Sequence, residues 1–172
     1  MNKCKSCMIY IEDRYGVKFI DRIRERIREN LGVNTCKCDI KATKGIGNIT
    51  SKIGGLISSG KNGHECVIII FDNDGGKKRN PNPYSKNSKE KYVDNKNIVD
   101  LKINEEKIDM VNVYLIVFEN AIEKDWIEKG INQELPKDYK KYNLPKYANK
   151  IDIKFLKEKD ENFKNFITII DP

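Results

Sequence analysis

Val67-Ile68-Ile69-Ile70-Phe71-Asp72-Asn73-Asp74-Gly75-Gly76 is a run of β-branched and aromatic residues that stops at two carboxylates and two glycines. Five consecutive apolar residues of this type read as a strand buried on both faces, as in a parallel sheet. Ligands of open α/β sheets bind beyond the carboxyl ends of the strands. Two acids at that place repel each other by roughly 4 kcal/mol at about 4 Å and an effective dielectric near 20. A divalent cation reverses the sign of that interaction, and all-oxygen ligands suit Mg²⁺ or Mn²⁺. The competing reading is a plain turn, since Asp-Asn-Asp-Gly-Gly is rich in turn formers.

Working outward, Cys7 to Ile11 reads as a first strand ending at Glu12-Asp13, with a turn at Tyr15-Gly16. A helix from about Val17 to Leu31 follows, with Ile20, Ile23, Ile27 and Leu31 as its apolar stripe and Gly32 as its stop. Thr35 to Thr43 alternates as a half-exposed strand, and Lys44-Gly45-Ile46-Gly47-Asn48 leads into a second helix with Asn48 as its cap. The order strand, helix, strand, helix, strand predicts a parallel sheet with helices on both faces. Right-handed crossovers then bring all the strand ends to one rim. Downstream, 77–97 is expected to be a basic loop, Ile98 to Met110 a returning helix, and Val111 to Phe118 a buried strand ending at Glu119. Trp126 falls at helical spacing with Ile122, as a core residue would. Ile151 to Leu156 could be a strand, and Phe163 to Ile170 a strand or a helix.

Three strand ends therefore carry acids: Glu12, the Asp72/Asp74 pair, and Glu119. A metal held there polarises a phosphodiester and activates water, which is phosphoryl-transfer chemistry. For Glu12 the alternative is a charge complementing the dipole of the helix that follows. Asp13 reads as a helix cap. Glu119 is preferred over Glu123 because Asn120-x-x-Glu123 has the form of a capping box.

This order of motifs resembles the Toprim domain of type II topoisomerases, bacterial primases, recombination-repair proteins and the overcoming-lysogenisation-defect nucleases. That family ends its first strand in Glu and its third in DxD, where Ile11-Glu12 and Asp72-Asn73-Asp74 stand here. The likeness is to small stand-alone archaeal and bacterial Toprim-like proteins, whose Lys-Gly-x-Gly-Asn-like loop and acid near a Trp correspond to Lys44–Asn48 and to the segment from Glu119 to Trp126. It covers roughly Cys7 to Ile127. Asp13 stands where the family usually has Gly, and Gly16 where a further acid is common. No catalytic-tyrosine domain or ATPase accompanies the core, which points away from a topoisomerase. The resemblance implies an α/β Toprim/Rossmann-like three-layer sandwich with a mainly parallel sheet of about four strands, over residues 1–130. Residues 131–172 form a C-terminal extension packing on that core. It implies Glu12 as general acid/base and Asp72 and Asp74 as ligands of Mg²⁺ or Mn²⁺, with Glu119 placed by the strand pattern as a further ligand.

The expected function is metal-dependent phosphodiester chemistry on nucleic acid, most simply a nuclease. The alternative is a non-catalytic nucleic-acid-binding or adaptor protein of the same fold. A nucleotide-sugar transferase, where a strand also ends in DxD, ranks below both. Lysine and arginine outnumber acids by 33 to 26, a net charge of +7 that favours polyanionic partners or simply reflects a biased genome or a hot habitat. Lys44, Lys77, Lys78 and Arg79 are the candidate phosphate contacts, with tyrosines interleaved among the lysines of the loop and tail as stacking platforms. The bland alternative is a solvated face. No run approaches the ~20 apolar residues of a bilayer span, and the start of the chain lacks a signal-peptide pattern, so a cytoplasmic protein without membrane association is expected. Cys4, Cys7, Cys36, Cys38 and Cys66 leave three readings open: Zn²⁺, small buried apolar side chains, or intracellular disulfides. The C-x-C spacing within a strand is taken as a poor fit to one metal.

Overall fold

The structure, a computed structural model, describes residues 4–73, 78–79, 91–92 and 94–171. Asp74, Lys77 and the side chains of Lys78 and Arg79 lie outside the described residues. Strands β1 (Ser6–Ile11), β2 (Lys37–Ala42), β3 (Cys66–Asp72) and β6 (Val113–Phe118) form the main sheet of the described residues, in the order β2-β1-β3-β6. Each neighbouring pair is parallel. The fold is α/β, a three-layer Rossmann-like sandwich. A separate two-residue antiparallel ladder pairs β4 (Lys78–Arg79) with β5 (Lys91–Tyr92), inside the stretch expected to be loop.

Strand alternation divides the core in two. Met8, Tyr10, Val67, Ile69 and Phe71 face helices α2 (Ile46–Lys61) and α3 (Asn95–Glu105). Cys7, Ile9, Ile11, Ile68 and Ile70 face α1 (Arg14–Leu31) and the C-terminal helices. Central β3 is buried along its whole apolar length, which is what its unbroken run of Val, Ile and Phe requires.

Helix α1 starts earlier than its apolar stripe predicts. Asp13 accepts hydrogen bonds from the N–H groups of Tyr15 and Gly16 at 2.8 and 2.9 Å, so Tyr15-Gly16 is the first helical turn and not a loop. Gly16 matters for a second reason: a Cβ there would lie 2.7 Å from Ile11 Cδ1, so its absence lets α1 approach the end of β1. Gly32 closes the helix at φ 65°. Helix α2 is preceded by Gly45 (φ 109°), not capped by Asn48. Asn48 instead donates to the Thr43 carbonyl at 2.8 Å, fastening the β2–α2 loop.

Beyond β6 the chain is helical, and Ile151 to Leu156 is not a strand. A π-helical turn (Glu123–Glu128) runs into α4 (Lys129–Ile131); α5 (Leu144–Tyr147), α6 (Ile153–Lys159) and α7 (Glu161–Ile170) follow. Asp152 caps α6 through the Phe155 N–H, and Asp160 caps α7 through the Phe163 N–H. Trp126 is fully buried, edge-on to Phe118 and Phe163, and its indole N–H donates to Asp160 at 3.2 Å. Among the described residues no helix is long and apolar enough to cross a membrane.

Candidate functional site

The carboxyl ends of β1 and β3 are adjacent because the two strands pair directly, Ile11 against Ile70. Glu12 and Asp72 each follow from that pairing. The Asp72 backbone N–H donates to Glu12 Oε1 at 2.9 Å, so the glutamate side chain crosses from its own strand onto the next. A cavity of about 20 Å³, the space of one water molecule or a single ion, opens between them. Its walls are apolar (Ile11, Ile70, Phe118, Ile122 and Leu144), and Glu12, Asp13, Asp72 and Lys141 bring charge to it.

That mixture sets the proton affinities. Burial pushes the Asp72 carboxyl up to about 7, and the negative charge of Glu12 adds to the effect. Lys141 works in the opposite direction, Glu123 raises the value further, and a hydrogen bond from the Ile122 N–H lowers it. Lys141 is held 2.9 Å from Asp13. Burial alone would lower its pKa; the hydrogen bond and charge of Asp13 outweigh that, with Glu123 and Asp72 contributing, and keep the ammonium charged. Burial likewise acts to raise Asp13, but Lys141 and the Gly16 and Tyr15 N–H groups hold it below the usual carboxylate range.

Glu123 reaches the same region. The capping box expected from Asn120 and Glu123 does not form: the Asn120 N–H and side-chain amide donate to Asp125 at 3.0 and 3.3 Å instead. With the π turn displacing the register, Glu123 accepts a hydrogen bond from the Tyr139 hydroxyl at 3.3 Å. Burial, then the charge and hydrogen bond of Glu123, push the Tyr139 phenol above its ordinary value, so it stays protonated as a donor. Tyr139 also meets Tyr147 edge-on at 5.7 Å.

The sequence-predicted residues thus divide. Glu12 and Asp72 converge. Glu119 is exposed and lines a separate shallow groove with Asn73, Lys96 and Asn162. Asn73, between the two acids of the DxD, is anchored by its N–H to the Phe118 carbonyl (2.7 Å) and by accepting the Lys96 N–H (2.8 Å). Lys44 is exposed with φ 66°, and its neighbour Gly45 donates its N–H to the Glu12 carbonyl at 2.8 Å, so the Lys44–Asn48 loop is tied to the chain just beyond β1, although none of its residues lines the cavity. Among the described residues no three carboxylates bring oxygens within 4.8 Å of one another; the group of ligand atoms that does is Cys7, Cys36 and Cys38. Sequence reasoning missed Lys141, set Glu123 aside as a capping residue, and read Tyr139 as one of the interleaved stacking tyrosines rather than as a partner of Glu123. Tyr139 and Lys141 lie in the C-terminal segment, and their one signal was the basic, Tyr-rich stretch from Pro136 to Lys150.

Comparison of the chain with protein-family models, with curated proteins and with solved structures finds no match.

Proposed function

We propose that the cavity between β1 and β3 binds Mg²⁺ or Mn²⁺ and that the protein carries out metal-dependent phosphodiester chemistry on nucleic acid. The observation that carries this reading is the convergence of Glu12 and Asp72, from strands 60 residues apart, in a cavity the size of one ion. The donor set fits a hard cation. Two carboxylates share an apolar-walled space in which burial opposes their ionisation, and a bound cation relieves both the burial and the repulsion. Asp74, two residues beyond Asp72, is the expected further ligand, as the DxD of Toprim domains implies. When bound, the metal would polarise the phosphoryl oxygen and lower the pKa of its water.

The chain's own residues have distinct tasks in this reading. Asp72 must lose its proton to serve as a ligand, so metal affinity should rise as pH passes through about 7. Glu12, oriented by the Asp72 N–H, would exchange a proton with the attacking water or leaving oxygen. Lys141, charged and held by Asp13, neutralises a phosphate oxygen approaching the rim. Lys44 and the basic residues 77–79 follow the nucleic-acid backbone.

A second reading, a nucleic-acid-binding or adaptor protein without turnover, is favoured by one observation: Glu119 stands apart from the Glu12 and Asp72 cavity. Cleavage assays on single- and double-stranded DNA and RNA with Mn²⁺ separate the two. The catalytic reading expects cleavage by the wild type that is abolished in Asp72→Asn and Glu12→Gln. Binding without cleavage, unchanged by Asp72→Asn, establishes the second reading in its place.

A further inference from the structure

The opposite rim of the sheet, at the amino ends of the strands, gathers sulfur. In the register of the sheet Cys7 of β1 lies beside Cys38 of β2 on one side and Cys66 of β3 on the other, at the ~4.8 Å spacing of neighbouring strands. Cys7 is disulfide-bonded to Cys38, and Cys4 to Cys66. Cys36 is a free thiol, 3% exposed. Its sulfur lies 3.2 Å from that of Cys7 and 3.2 Å from that of Cys38. A disulfide needs two sulfurs and leaves no reason for a third to stand equally close to both ends. A thiolate shell around one metal ion needs all of them. The C-x-C spacing, a poor fit to one metal on the sequence, is suitable after all: residues two apart on extended backbone point to the same face, and both sulfurs turn toward Cys7.

Arg24 supplies a complementary charge. Its Nη2 donates to the Cys36 carbonyl at 2.8 Å, while its Nε is buried without a hydrogen-bond partner. A tetrathiolate zinc centre carries two net negative charges, and a guanidinium beside it offsets part of them.

We infer that the reduced protein binds one Zn²⁺ through Cys7, Cys36 and Cys38, whose sulfurs all lie within 4.8 Å of one another, with a fourth thiolate from the Cys4 and Cys66 pair, which stands outside that group while disulfide-bonded and reaches it through Cys66, the register neighbour of Cys7. Zinc is chosen because buried all-thiolate sites of four cysteines are tetrahedral structural centres. The site is distinct from the carboxylate cavity in place and in chemistry, hard oxygen at one rim and soft sulfur at the other. Loading balances as follows. A cellular dithiol reduces each disulfide, giving up two electrons and two protons per S–S bond broken and leaving as its own disulfide. Four thiols then lose their protons to solvent as four Zn–S bonds form, with no change in the oxidation state of the metal. The centre would tie β1, β2 and β3 together at the end of the sheet remote from Asp72.

The test uses the full chain, kept under reductant, titrated with Zn²⁺ and with Co²⁺ as a spectroscopic probe. The expected result is one thiolate-bound metal per chain, read from a sulfur-to-cobalt charge-transfer band and the visible bands of a tetrahedral ion, both displaced by Zn²⁺ and both independent of any metal held by the carboxylate cavity. Cys36→Ser, which retains both disulfide pairs and hence the oxidised fold, should lose the band and stoichiometric zinc. Asp72→Asn should keep both, so failure of the carboxylate site and failure of this one are read separately. Absence of the charge-transfer band in the reduced wild type overturns the inference, whatever the variant does. So does undiminished binding by Cys36→Ser, or a chain that keeps two disulfides and one titratable thiol in reductant.

Discussion

Asp72 enters the folded protein at an energetic cost that depends on pH. Its ordinary value of 3.8 rises to about 7 on folding, so the folded state binds more protons than the unfolded state between those limits. The stability associated with this group is fully present below pH 3.8 and is lost as pH rises through about 7. The size is on the order of 4 kcal/mol. Asp72→Asn removes the charge and keeps the shape, so without metal it should be more stable than the wild type at pH 8 and nearly equal at pH 4. Urea unfolding at the two pH values checks this; a wild type of constant stability across that range contradicts it. Lys141 acts on the same carboxyl from across the cavity. Lys141→Met should raise the Asp72 pKa further, as followed by carboxyl NMR, yet change stability by less than about 1 kcal/mol, because the Lys141 side chain is 45% exposed in its pair with Asp13.

At the scale of elements, Asp160 joins α7 to the π turn and α4. It caps α7, accepts the Trp126 indole N–H, and pairs with Lys129 at 2.7 Å, while itself 7% exposed. Asp160→Ala removes the cap, worth ~1 kcal/mol, and leaves a buried indole donor unsatisfied at a further ~1–3 kcal/mol. A loss of about 3 kcal/mol in chemical denaturation is expected. Asp160→Asn retains an oxygen acceptor for the cap and the indole and should lose less. Equal losses from both would mean that the charge of Asp160, not its hydrogen bonding, is what holds the helices.

Across the whole molecule, the alternation of β-branched runs with amphipathic stripes made the β1-α1-β2-α2-β3 order and the parallel sheet legible, because each signal is local and periodic. The site was half legible for the same reason. Glu12 and Asp72 sit at strand ends, and parallel connectivity puts such ends on one rim. Lys141 was not legible, since its position depends on how α5 packs under α1, a contact between residues more than a hundred apart. Glu123 was hidden by a plausible capping box that the π turn replaces with Asp125. Ile151 to Leu156 was open to a strand reading, although Asp152, three residues before the N–H it caps, was the signal for a helix. The excess of positive charge is likewise a property of the whole chain. If nucleic acid is the partner, binding measured by fluorescence anisotropy should weaken steeply with salt, linearly in log K against log concentration. Affinity indifferent to ionic strength would point away from a polyanion.

The central claim is that Glu12 and Asp72 form a cation site, and it is tested most directly by the melting temperature of the wild type and of Asp72→Asn at pH 8 as Mn²⁺ is added. At a hundredfold excess over Kd the bound ion stabilises the fold by about 2.7 kcal/mol, which for a chain of this length is a rise of roughly 5–10 °C. The account predicts that rise in the wild type and its absence in Asp72→Asn. No rise in the wild type, or the same rise in both proteins, would contradict it.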